Sequence, residues 1–372
     1  MSIPETRIEN ASGRGRPVRI LITGGAGFVG SALARHFRSF AGETSVVVLD
    51  NLRRRGSELN LAELQARGVV FVHGDVRNPA DLESLEGSFD VLIEASAEPS
   101  VLAGLEESPR YVLDTNLFGA ANCLEFARKR CGGLVFLSTS RVYSIGPLRA
   151  IPLVEEPTRF ELAGDASGIP GLAWTGVAEG FPCADYRSFY GASKLAAELL
   201  CQEYSAQAGL PVVINRCGVI AGPGQLGRTD QGIFTLWVAR HWYGRSLRYT
   251  GFGGKGLQVR DLLHPDDLCD LVRRQIESWP VVSGKTFNVG GGRNGSVSLR
   301  EFTSVCREAT GREVPIAEEA ATSPVDVPWY VSDNTRVTAA LGWAPAHGPA
   351  RIANDIAEWV RTNEKRLAGV LA

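Results

Sequence analysis

The feature that most constrains the fold is a glycine-rich turn, T-G-G-A-G-F-V-G, at residues 23–30. An apolar segment at 18–22 precedes this turn, and a segment with helical character, 31–40, follows it directly. A strand, a tight glycine turn and a helix in this order open a βαβ unit that binds a dinucleotide. In such a unit Gly24 permits the tight turn, and Gly27 lets the backbone approach a pyrophosphate. We therefore predict a dinucleotide-binding fold.

The kind of dinucleotide depends on a second apolar segment, 45–49, which ends in Asp50. Asp50 stands about 20 residues beyond the last glycines, where a carboxylate accepts hydrogen bonds from the adenosine ribose hydroxyls. Because a carboxylate repels a 2′-phosphate, it favours NAD over NADP. Three neighbouring arginines, Arg53, Arg54 and Arg55, weaken that preference. The glycine spacing is G-x-x-G-x-x-G rather than the commoner form, so a purely structural turn is the alternative.

An alternation of strands and helices indicates the fold class. The apolar strand candidates are residues 18–22, 45–49, 69–72, 91–95, 134–138 and 212–216. Helical patterns between them include 114–128 and 190–208. This order predicts an α/β fold with a parallel, doubly wound sheet of the Rossmann type. From residue 222 onward the chain is glycine-rich and aromatic, then helical, which predicts a smaller, mainly C-terminal substrate domain.

The domain boundaries follow from these patterns. We predict a flexible tail at 1–16, a cofactor domain at 17–218 to which 262–285 returns, and a substrate domain at 219–261 and 286–372. The tail is polar and contains no apolar core. It therefore resembles neither a signal peptide nor a membrane span.

The composition is that of an ordinary globular enzyme. The chain has 372 residues, of which 44% are hydrophobic and 22% are charged, and its formal charge is −2. So small a charge gives no general attraction to nucleic acid or to a membrane. The seven cysteines form no C-x-x-C pair and no His–Cys spacing typical of metal sites. We expect buried thiols, no metal and a cytoplasmic location.

A Tyr-x-x-x-Lys pair, Y-G-A-S-K, indicates the chemistry. It places Tyr190 and Lys194 one helical turn apart, on the same face of a helix. A neighbouring ammonium stabilises a phenolate, which can lower the pKa of the phenol from about 10 towards the pH of the cell. The tyrosine then becomes a proton acceptor. The chemistry that suits such a base is oxidation of an alcohol by a nicotinamide.

Further stretches carry a resemblance over nearly the whole chain. They are G-D-V-R (74–77), S-A-E-P-S-V (96–101), T-N-L-F-G (115–119), S-T-S-R-V-Y (138–143), V-R-D-L-L-H-P-D-D-L (259–268) and F-N-V-G-G-G (287–292). With the glycine turn and Y-G-A-S-K, they resemble the extended short-chain dehydrogenase/reductase family, in the branch that acts on nucleotide sugars. Within that branch the chain is most similar to NAD-dependent epimerases of CDP-activated sugars.

This resemblance implies a catalytic trio of Thr139, Tyr190 and Lys194. Tyr190 would take a hydroxyl proton, Thr139 would donate to the developing carbonyl oxygen, and Lys194 would hold the nicotinamide ribose. For Thr139 the alternative is a backbone-capping role at the end of its strand. The residues that would bind NAD are Gly24, Gly27, Phe28, Val29, Asp50, Asn51, Asp75, Val76, Ser96, Ala97, Asn116, Tyr190 and Lys194. For Asn116 a structural role is equally open.

The implied substrate is a nucleotide-diphosphate sugar, with a CDP-sugar favoured. The residues that would bind it are Thr139, Arg141, Arg216 and Arg260. Arg260, in V-R-D, matches the diphosphate-binding arginine of the family, since a guanidinium fork fits phosphate oxygens. Arg216 and Arg228 are weaker candidates, for which a role in the fold or at the surface is at least as plausible. For Arg141 a contact to the sugar or cofactor and a solvated surface position are equally open.

Departures from neighbouring branches narrow the reaction. Nucleotide-sugar 4,6-dehydratases carry an Asp–Glu pair just after the threonine, because elimination of water needs its own acid and base. Decarboxylases of UDP-glucuronate carry a glutamate at the second of these positions. This chain has Ser140 and Arg141 there. Neither activity is therefore favoured.

The resulting hypothesis is an NAD-dependent epimerase that acts through a transient keto sugar and works as a homo-oligomer. One alternative is a net dehydrogenase or ketoreductase of a nucleotide sugar, which uses the same trio. Another is a catalytically silent NAD-binding scaffold on the same fold.

A long interval at 144–186 separates the two catalytic motifs and contains five prolines and several acidic and aromatic residues. Loops of this length inside compact domains are often functional. We predict a lid that closes over the sugar. A surface excursion or a subunit contact is the alternative.

Overall fold

The computed structural model describes residues 18–40, 44–164, 168–227 and 231–371. The tail predicted at 1–16, the candidate Arg228 and Asp165 of the 144–186 segment lie outside these described residues. The strands of the described chain are β1 (Val18–Thr23), β2 (Thr44–Asp50), β3 (Val70–His73), β4 (Val91–Glu94), β5 (Leu134–Thr139), β6 (Leu153–Glu155), β7 (Phe160–Leu162), β8 (Leu172–Ala173), β9 (Gly176–Val177), β10 (Val212–Cys217), β11 (Val219–Ile220), β12 (Leu247–Thr250), β13 (Val259–Leu263), β14 (Thr286–Val289), β15 (Ser296–Ser298), β16 (Ile316–Glu319) and β17 (Trp329–Tyr330).

The α-helices of the described chain are α1 (Phe28–Ser39), α2 (Leu61–Ala66), α3 (Pro79–Glu83), α4 (Arg110–Leu113), α5 (Gly119–Arg130), α6 (Ile145–Arg149), α7 (Phe189–Ala208), α8 (Ile233–Trp242), α9 (Pro265–Glu277), α10 (Trp279–Val282), α11 (Leu299–Thr310), α12 (Thr335–Leu341), α13 (Pro349–Thr362) and α14 (Glu364–Leu371). A π-helical turn, Asp114–Phe118, joins α4 to α5. The helix predicted at 114–128 therefore starts earlier and is interrupted by this turn. No helix within the described ranges has both the length and the apolar character that a membrane span requires.

The central sheet has seven strands in the order β14-β10-β5-β4-β1-β2-β3, and all neighbouring strands are parallel. The predicted doubly wound, parallel sheet is confirmed. Strand order reverses between β1 and β4, which are hydrogen-bonded neighbours. In such a sheet, ligands bind in the crevice at the carboxyl ends of the strands where the order reverses. The fold therefore places a binding crevice beyond Thr23 and Glu94.

Side chains alternate between the two faces of each strand, and on both faces they pack against helices. In β2, Val46 and Val48 contribute to the apolar layer that contains α1 and α9, while Val47 and Leu49 contribute to the layer that contains α3, α5 and α7. Side chains alternate between the faces with a period of two, so a strand buried on both sides is apolar throughout. This is why the strands were recognisable as apolar segments.

One domain boundary needs correction. β14 pairs in parallel with β10, and its Phe287 and Val289 are buried in the same core as α1. The strand Thr286–Val289 thus belongs to the central sheet and not to the substrate domain that was predicted to resume at 286. A strand of four residues is too short for its apolar pattern to distinguish it from a loop.

The remaining C-terminal part forms a second unit. A small sheet contains β11, β13, β15 and β17, and α8, α11 and α13 pack against one another around an apolar core that includes Trp237, Phe302 and Ile356. β11 follows β10 after a single residue, so the second unit is attached directly to the carboxyl edge of the central sheet. This attachment positions the second unit over the crevice.

The described part of the 144–186 segment is folded and packed. It forms α6 and two hairpins, β6–β7 and β8–β9. Phe160 N donates to Leu257 O over 2.9 Å, and Val177 N donates to Val331 O over 2.8 Å. Phe181 and Val177 are buried in a core shared with Trp329. These contacts attach the segment to the second unit, so they favour a fixed wall of that unit over the predicted lid.

Candidate active site

The glycine turn has the geometry that a pyrophosphate site requires. Gly24 has φ 64°, a left-handed conformation that favours glycine, and a Cβ there would lie 2.7 Å from Ser96 Cα. The turn ends at the start of α1, whose N-cap is Gly27, and no side chain caps the helix. The first backbone N–H groups of α1 are therefore available to an anion. Phe28 and Val29, both predicted to bind NAD, form the first residues of this helix.

Asp50 is anchored beside this turn. Its Oδ2 accepts from Ala26 N over 3.0 Å, and its Oδ1 accepts from Leu52 N over 2.8 Å. Burial raises the pKa of Asp50, whereas the hydrogen bonds from Leu52 and Ala26 oppose that rise. The carboxylate is thus held in a fixed orientation at the end of β2, as the ribose contact requires.

A cleft of about 320 Å³ opens in front of the turn. Of the residues predicted to bind NAD, those that line it are Gly24, Gly27, Asp50, Asn51, Val76, Ser96 and Ala97. Asp75 lies behind this lining, where its Oδ2 accepts from Asn51 Nδ2 over 2.9 Å. Burial opposes ionisation of Asp75, but hydrogen bonds from Arg77 and Asn51 outweigh it and lower its pKa to about 2. Asp75 therefore positions Asn51 rather than facing the cleft.

The far end of the cleft is cationic and aromatic. Arg53, Arg54 and Arg55 line it together with Tyr111. The guanidinium of Arg53 lies 4.0 Å from the centre of the Tyr111 ring. The uncapped start of α1 suits the pyrophosphate of NAD, and the anchored carboxylate of Asp50 suits the hydroxyls of its ribose. The arginine-rich end suits the negative charge of the cofactor. The residues present therefore fit NAD.

Asn116 is another predicted cofactor residue that does not line the cleft. It is buried in the π-helical turn. Its Oδ1 accepts from Glu98 N over 2.8 Å, and its Nδ2 donates to Glu98 O over 3.1 Å and to Ser193 Oγ over 3.2 Å. Because both ends of the amide are engaged by the protein, these contacts favour the structural role. Asn116 joins the cleft wall to the helix that carries the catalytic pair.

The predicted catalytic residues come together where β5 and α7 meet. Thr139 is the last residue of β5, and its Oγ1 accepts from Arg141 N over 3.2 Å. Tyr190 is in the first turn of α7. Gly191 allows the two elements to approach, since a Cβ on it would lie only 2.1 Å from the carbonyl oxygen of Arg141. The glycine of Y-G-A-S-K is therefore a packing requirement of the site.

The electrostatics of Tyr190 differ from the simple prediction. Burial raises the pKa of this phenol above its ordinary value, while Lys194, a hydrogen bond with Thr139 and the charge of Arg141 lower it. Lys194 thus acts in the predicted direction, but burial has the larger effect on the pKa of Tyr190. The phenol depends on its cationic neighbours to reach a useful pKa.

Lys194 is itself buried, with its side chain 2% exposed. Its Nζ lies 3.4 Å from Glu94 Oε2 and 4.0 Å from the centre of the Phe136 ring. Glu94 is the last residue of β4, at the crevice, and Ser96 Oγ donates to its other oxygen. Glu94 was not among the residues predicted for the site, although a carboxylate that ends an otherwise apolar strand is a recognisable signal.

Two of the predicted substrate arginines lie on the side of the second unit. Arg260 Nη2 donates to Asp326 Oδ1 over 2.7 Å. Burial lowers the pKa of Arg260 to about 10, an effect that Asp326 opposes and Arg141 increases. The charge of Arg141 therefore acts on both Arg260 and Tyr190.

Arg216 requires a correction. Its Nη2 lies 2.7 Å from Glu198 Oε2, and its Nη1 donates to Tyr143 Oη over 3.3 Å and to Glu179 O over 3.2 Å. Burial opposes the charge, but Glu198 raises the pKa of Arg216. The guanidinium is used within the protein, joining β10 to α7, so we no longer assign it to the substrate. Across the described ranges, no cluster of three or more His, Cys, Asp or Glu residues could hold a metal ion.

Comparison with known proteins agrees with this geometry. The CDP-paratose 2-epimerase of Salmonella typhi is 29% identical over 350 residues, which cover 88% of this chain and 95% of the relative. The dTDP-glucose 4,6-dehydratase of Streptomyces niveus is 28% identical over 352 residues, covering 93% of this chain and 94% of the relative. Both similarities extend over almost the whole of each protein.

Solved structures show the same fold. The dTDP-glucose 4,6-dehydratase of Streptomyces venezuelae, solved with NAD bound, has a TM-score of 0.75 and 26% identity, and the match covers 94% of this chain and 98% of that one. The UDP-glucuronic acid 4-epimerase of Bacillus cereus, in complex with UDP-glucuronic acid and NAD, has a TM-score of 0.75 at 21% identity, with coverage of 93% and 99%.

The family model of the NAD dependent epimerase/dehydratase family matches residues 20–290. This range contains the glycine turn, Asp50 and the meeting point of Thr139, Tyr190 and Lys194. The chain belongs to the NAD dependent epimerase/dehydratase family and is an enzyme whose cofactor is NAD.

Proposed function

We propose that this enzyme epimerises a nucleotide-diphosphate sugar through a transient keto sugar, with no net consumption of cofactor. Bound NAD supplies the hydride acceptor for the oxidation and the hydride donor for the return. The family and the similarity to epimerases and dehydratases support this class of chemistry. The choice between epimerisation and dehydration depends on the residues around the sugar.

In this proposal Tyr190 accepts the proton of a sugar hydroxyl and returns it after the sugar has turned over in the pocket. Thr139, hydrogen-bonded to the phenol, donates to the oxygen that becomes the carbonyl. Lys194 supplies the positive charge that favours the phenolate. Tyr190 is partly buried, and reduced solvent access strengthens each of these interactions.

The observation that carries the proposal is the turn after Thr139. Residues Ser140–Val142 form a 3₁₀-helix that contains a serine and an arginine but no carboxylate. Elimination of water needs an additional acid and base beside the sugar. The resemblance implies that dehydratases provide that pair at 140 and 141. Arg141, whose charge acts on Tyr190, instead favours repeated ionisation of the tyrosine.

The substrate class rests on Arg260 and Arg141. Both face the loop at 323–327, since Arg260 contacts Asp326 and Arg141 Nη1 donates to Val325 O over 3.4 Å. Two guanidinium groups at one place suit a diphosphate, which would compete for Arg260 with Asp326 and with the carbonyl oxygens of Val259 and Val327. Similarity to the CDP-paratose 2-epimerase of Salmonella typhi favours a CDP-sugar.

We also propose a homo-oligomer. α5 and α7 pack together, and exposed apolar side chains lie on or next to them: Phe118 is 52% exposed, Leu199 56% and Phe189 40%. A second copy of the chain would remove this surface from water. Light scattering coupled to size-exclusion chromatography tests this proposal, and a monomer at micromolar concentration would contradict it.

The function is tested by incubating the protein with CDP-, dTDP- and UDP-sugars and analysing the products by mass spectrometry and NMR. An isomer of unchanged mass supports epimerisation, a product that has lost water indicates a dehydratase, and accumulated NADH indicates a dehydrogenase. Tyr190→Phe is the matched control, and it should retain NAD while turnover falls by about 10²–10⁴. A Tyr190→Phe variant with normal turnover would remove the tyrosine from its proposed role.

A further inference from the structure

Glu94 has no part in the chemistry proposed so far, yet its buried position is energetically unfavourable for a carboxylate. It is 1% exposed, and it ends β4, the strand at which the order of the sheet reverses. A carboxylate in such a place is costly to bury unless it is paired. Burial of this charge directly before Ala95 and Ser96, which line the cofactor cleft, therefore calls for an explanation.

The contacts of Glu94 connect two parts of the site. One oxygen lies 3.4 Å from Lys194 Nζ, and the other accepts from Ser96 Oγ, a group on the wall of the cofactor cleft. Lys194 is almost as buried as Glu94, and Nζ lies against the Phe136 ring. Within the described part of the chain, Glu94 is the one ion-pair partner of Lys194.

The other titratable groups near this pair cannot take the place of Glu94. The thiols of Cys123 on α5, Cys201 on α7 and Cys217 on β10 all interact with Lys194. Burial raises the pKa of each thiol, that of Cys217 to about 12, so they are neutral at the pH of the cell. Tyr190 lies one helical turn from Lys194 on α7. The charge of Arg141, in the turn after β5, also acts on Tyr190.

We propose that Glu94 is a positioning residue that keeps Lys194 protonated and oriented, and that through Lys194 it sets the ionisation of Tyr190. The inference rests on the proposed role of Tyr190 as the catalytic base. An ammonium buried against a phenyl ring without a partner loses its proton more easily. If Lys194 were neutral, fewer positive charges would counteract the effect of burial on the pKa of Tyr190. The phenol would then ionise only at higher pH.

Glu94→Gln tests this inference because it keeps the shape of the side chain and removes the charge. We expect the acidic limb of the pH profile of kcat/KM to move up by about one pH unit or more, so that kcat/KM on that limb falls about tenfold or more. If Glu94 merely cancelled the charge of Lys194, its removal would strengthen the field of the ammonium and move the limb down. A limb that moves down, or does not move, overturns the inference.

A second measurement does not depend on turnover. The chain has five lysines, so protein labelled with ¹³C at the lysine ε-carbon gives few NMR signals, and Lys194→Arg assigns the one of interest. We expect the midpoint of Lys194 to lie above the acidic limb of the kcat/KM profile in the wild type and below that limb in Glu94→Gln, because only a neutral Lys194 leaves Tyr190 with fewer neighbouring charges. An unchanged midpoint overturns the inference, even if the protein proves to have another activity. Absence of epimerisation with a shifted midpoint would instead contradict only the proposed function.

Two further variants complete the test. Glu179→Gln removes another buried carboxylate, whose side chain is 7% exposed and pairs with Arg336, and it should leave the Lys194 midpoint in place. Glu94→Asp keeps the charge and should restore most of the wild-type profile. If Glu94→Gln does not fold, the inference is judged by the wild type and Glu94→Asp, and a Lys194 that titrates below about pH 8 in both overturns it.

Discussion

Gly191→Ala should disable the enzyme without removing any chemical group from it. A Cβ at this position would lie 2.1 Å from the carbonyl oxygen of Arg141, whereas carbon and oxygen atoms in close contact are separated by about 3.3 Å. The first turn of α7 must therefore move by roughly 1 Å from the turn that follows Thr139. A misplacement of about 1 Å at a catalytic group can lower turnover by about 10²-fold.

The assay is kcat at saturating nucleotide sugar, together with thermal unfolding. Because the clash involves backbone atoms, we also expect a loss of stability of about 1–3 kcal/mol. Gly369→Ala is the matched control, since Gly369 lies in α14 with no atom within 4 Å of its would-be Cβ. This control should keep wild-type turnover and gain about 0.5–1 kcal/mol. Wild-type turnover in a folded Gly191→Ala protein would refute the view that close packing of these two elements positions Tyr190.

Three further predictions concern individual side chains. Arg260→Ala should raise KM by about 10–100-fold, because the loss of a hydrogen bond to a charged group weakens binding by about that factor. It should lower kcat much less. A collapse of kcat at unchanged KM would remove Arg260 from the diphosphate site. Asp50→Ala should weaken NAD binding by about 10–100-fold and narrow the preference over NADP in calorimetric titrations, and unchanged selectivity would place the ribose contact elsewhere. Glu198→Ala leaves Arg216 buried without its partner, so chemical denaturation should show a loss of about 3–5 kcal/mol, and a loss below about 1 kcal/mol would contradict the structural role of this pair.

The sequence predicted the central sheet well because its strands are buried on both faces. Residues such as Val46, Val47 and Val48 are apolar in succession, which only a two-sided core explains. Two of the predicted strands ended one residue too early, because polar Thr23 and Thr139 continue β1 and β5 at their carboxyl ends. These polar residues lie at the carboxyl edge of the sheet, so the departures from the apolar pattern coincide with the edge that carries the site.

The pairings between distant residues could not be predicted. Glu94 and Lys194 are 100 residues apart, and nothing local to either indicates the other. Arg216 looked like a substrate ligand because an arginine at the end of a strand has the right chemistry, but Glu198 on the neighbouring helix engages it. The 144–186 segment folds into hairpins through contacts with the second unit rather than through its own periodicity.

The measurement that tests the central claim most directly is the fate of hydrogen at the inverted carbon. The enzyme would be incubated with its nucleotide sugar in deuterated water, and the product would be analysed by NMR and mass spectrometry. The proposed mechanism predicts an epimer without solvent deuterium at carbon and no accumulation of NADH, because the same hydride returns to the sugar. Deuterium at that carbon, loss of water from the sugar or a stoichiometric build-up of NADH would contradict it.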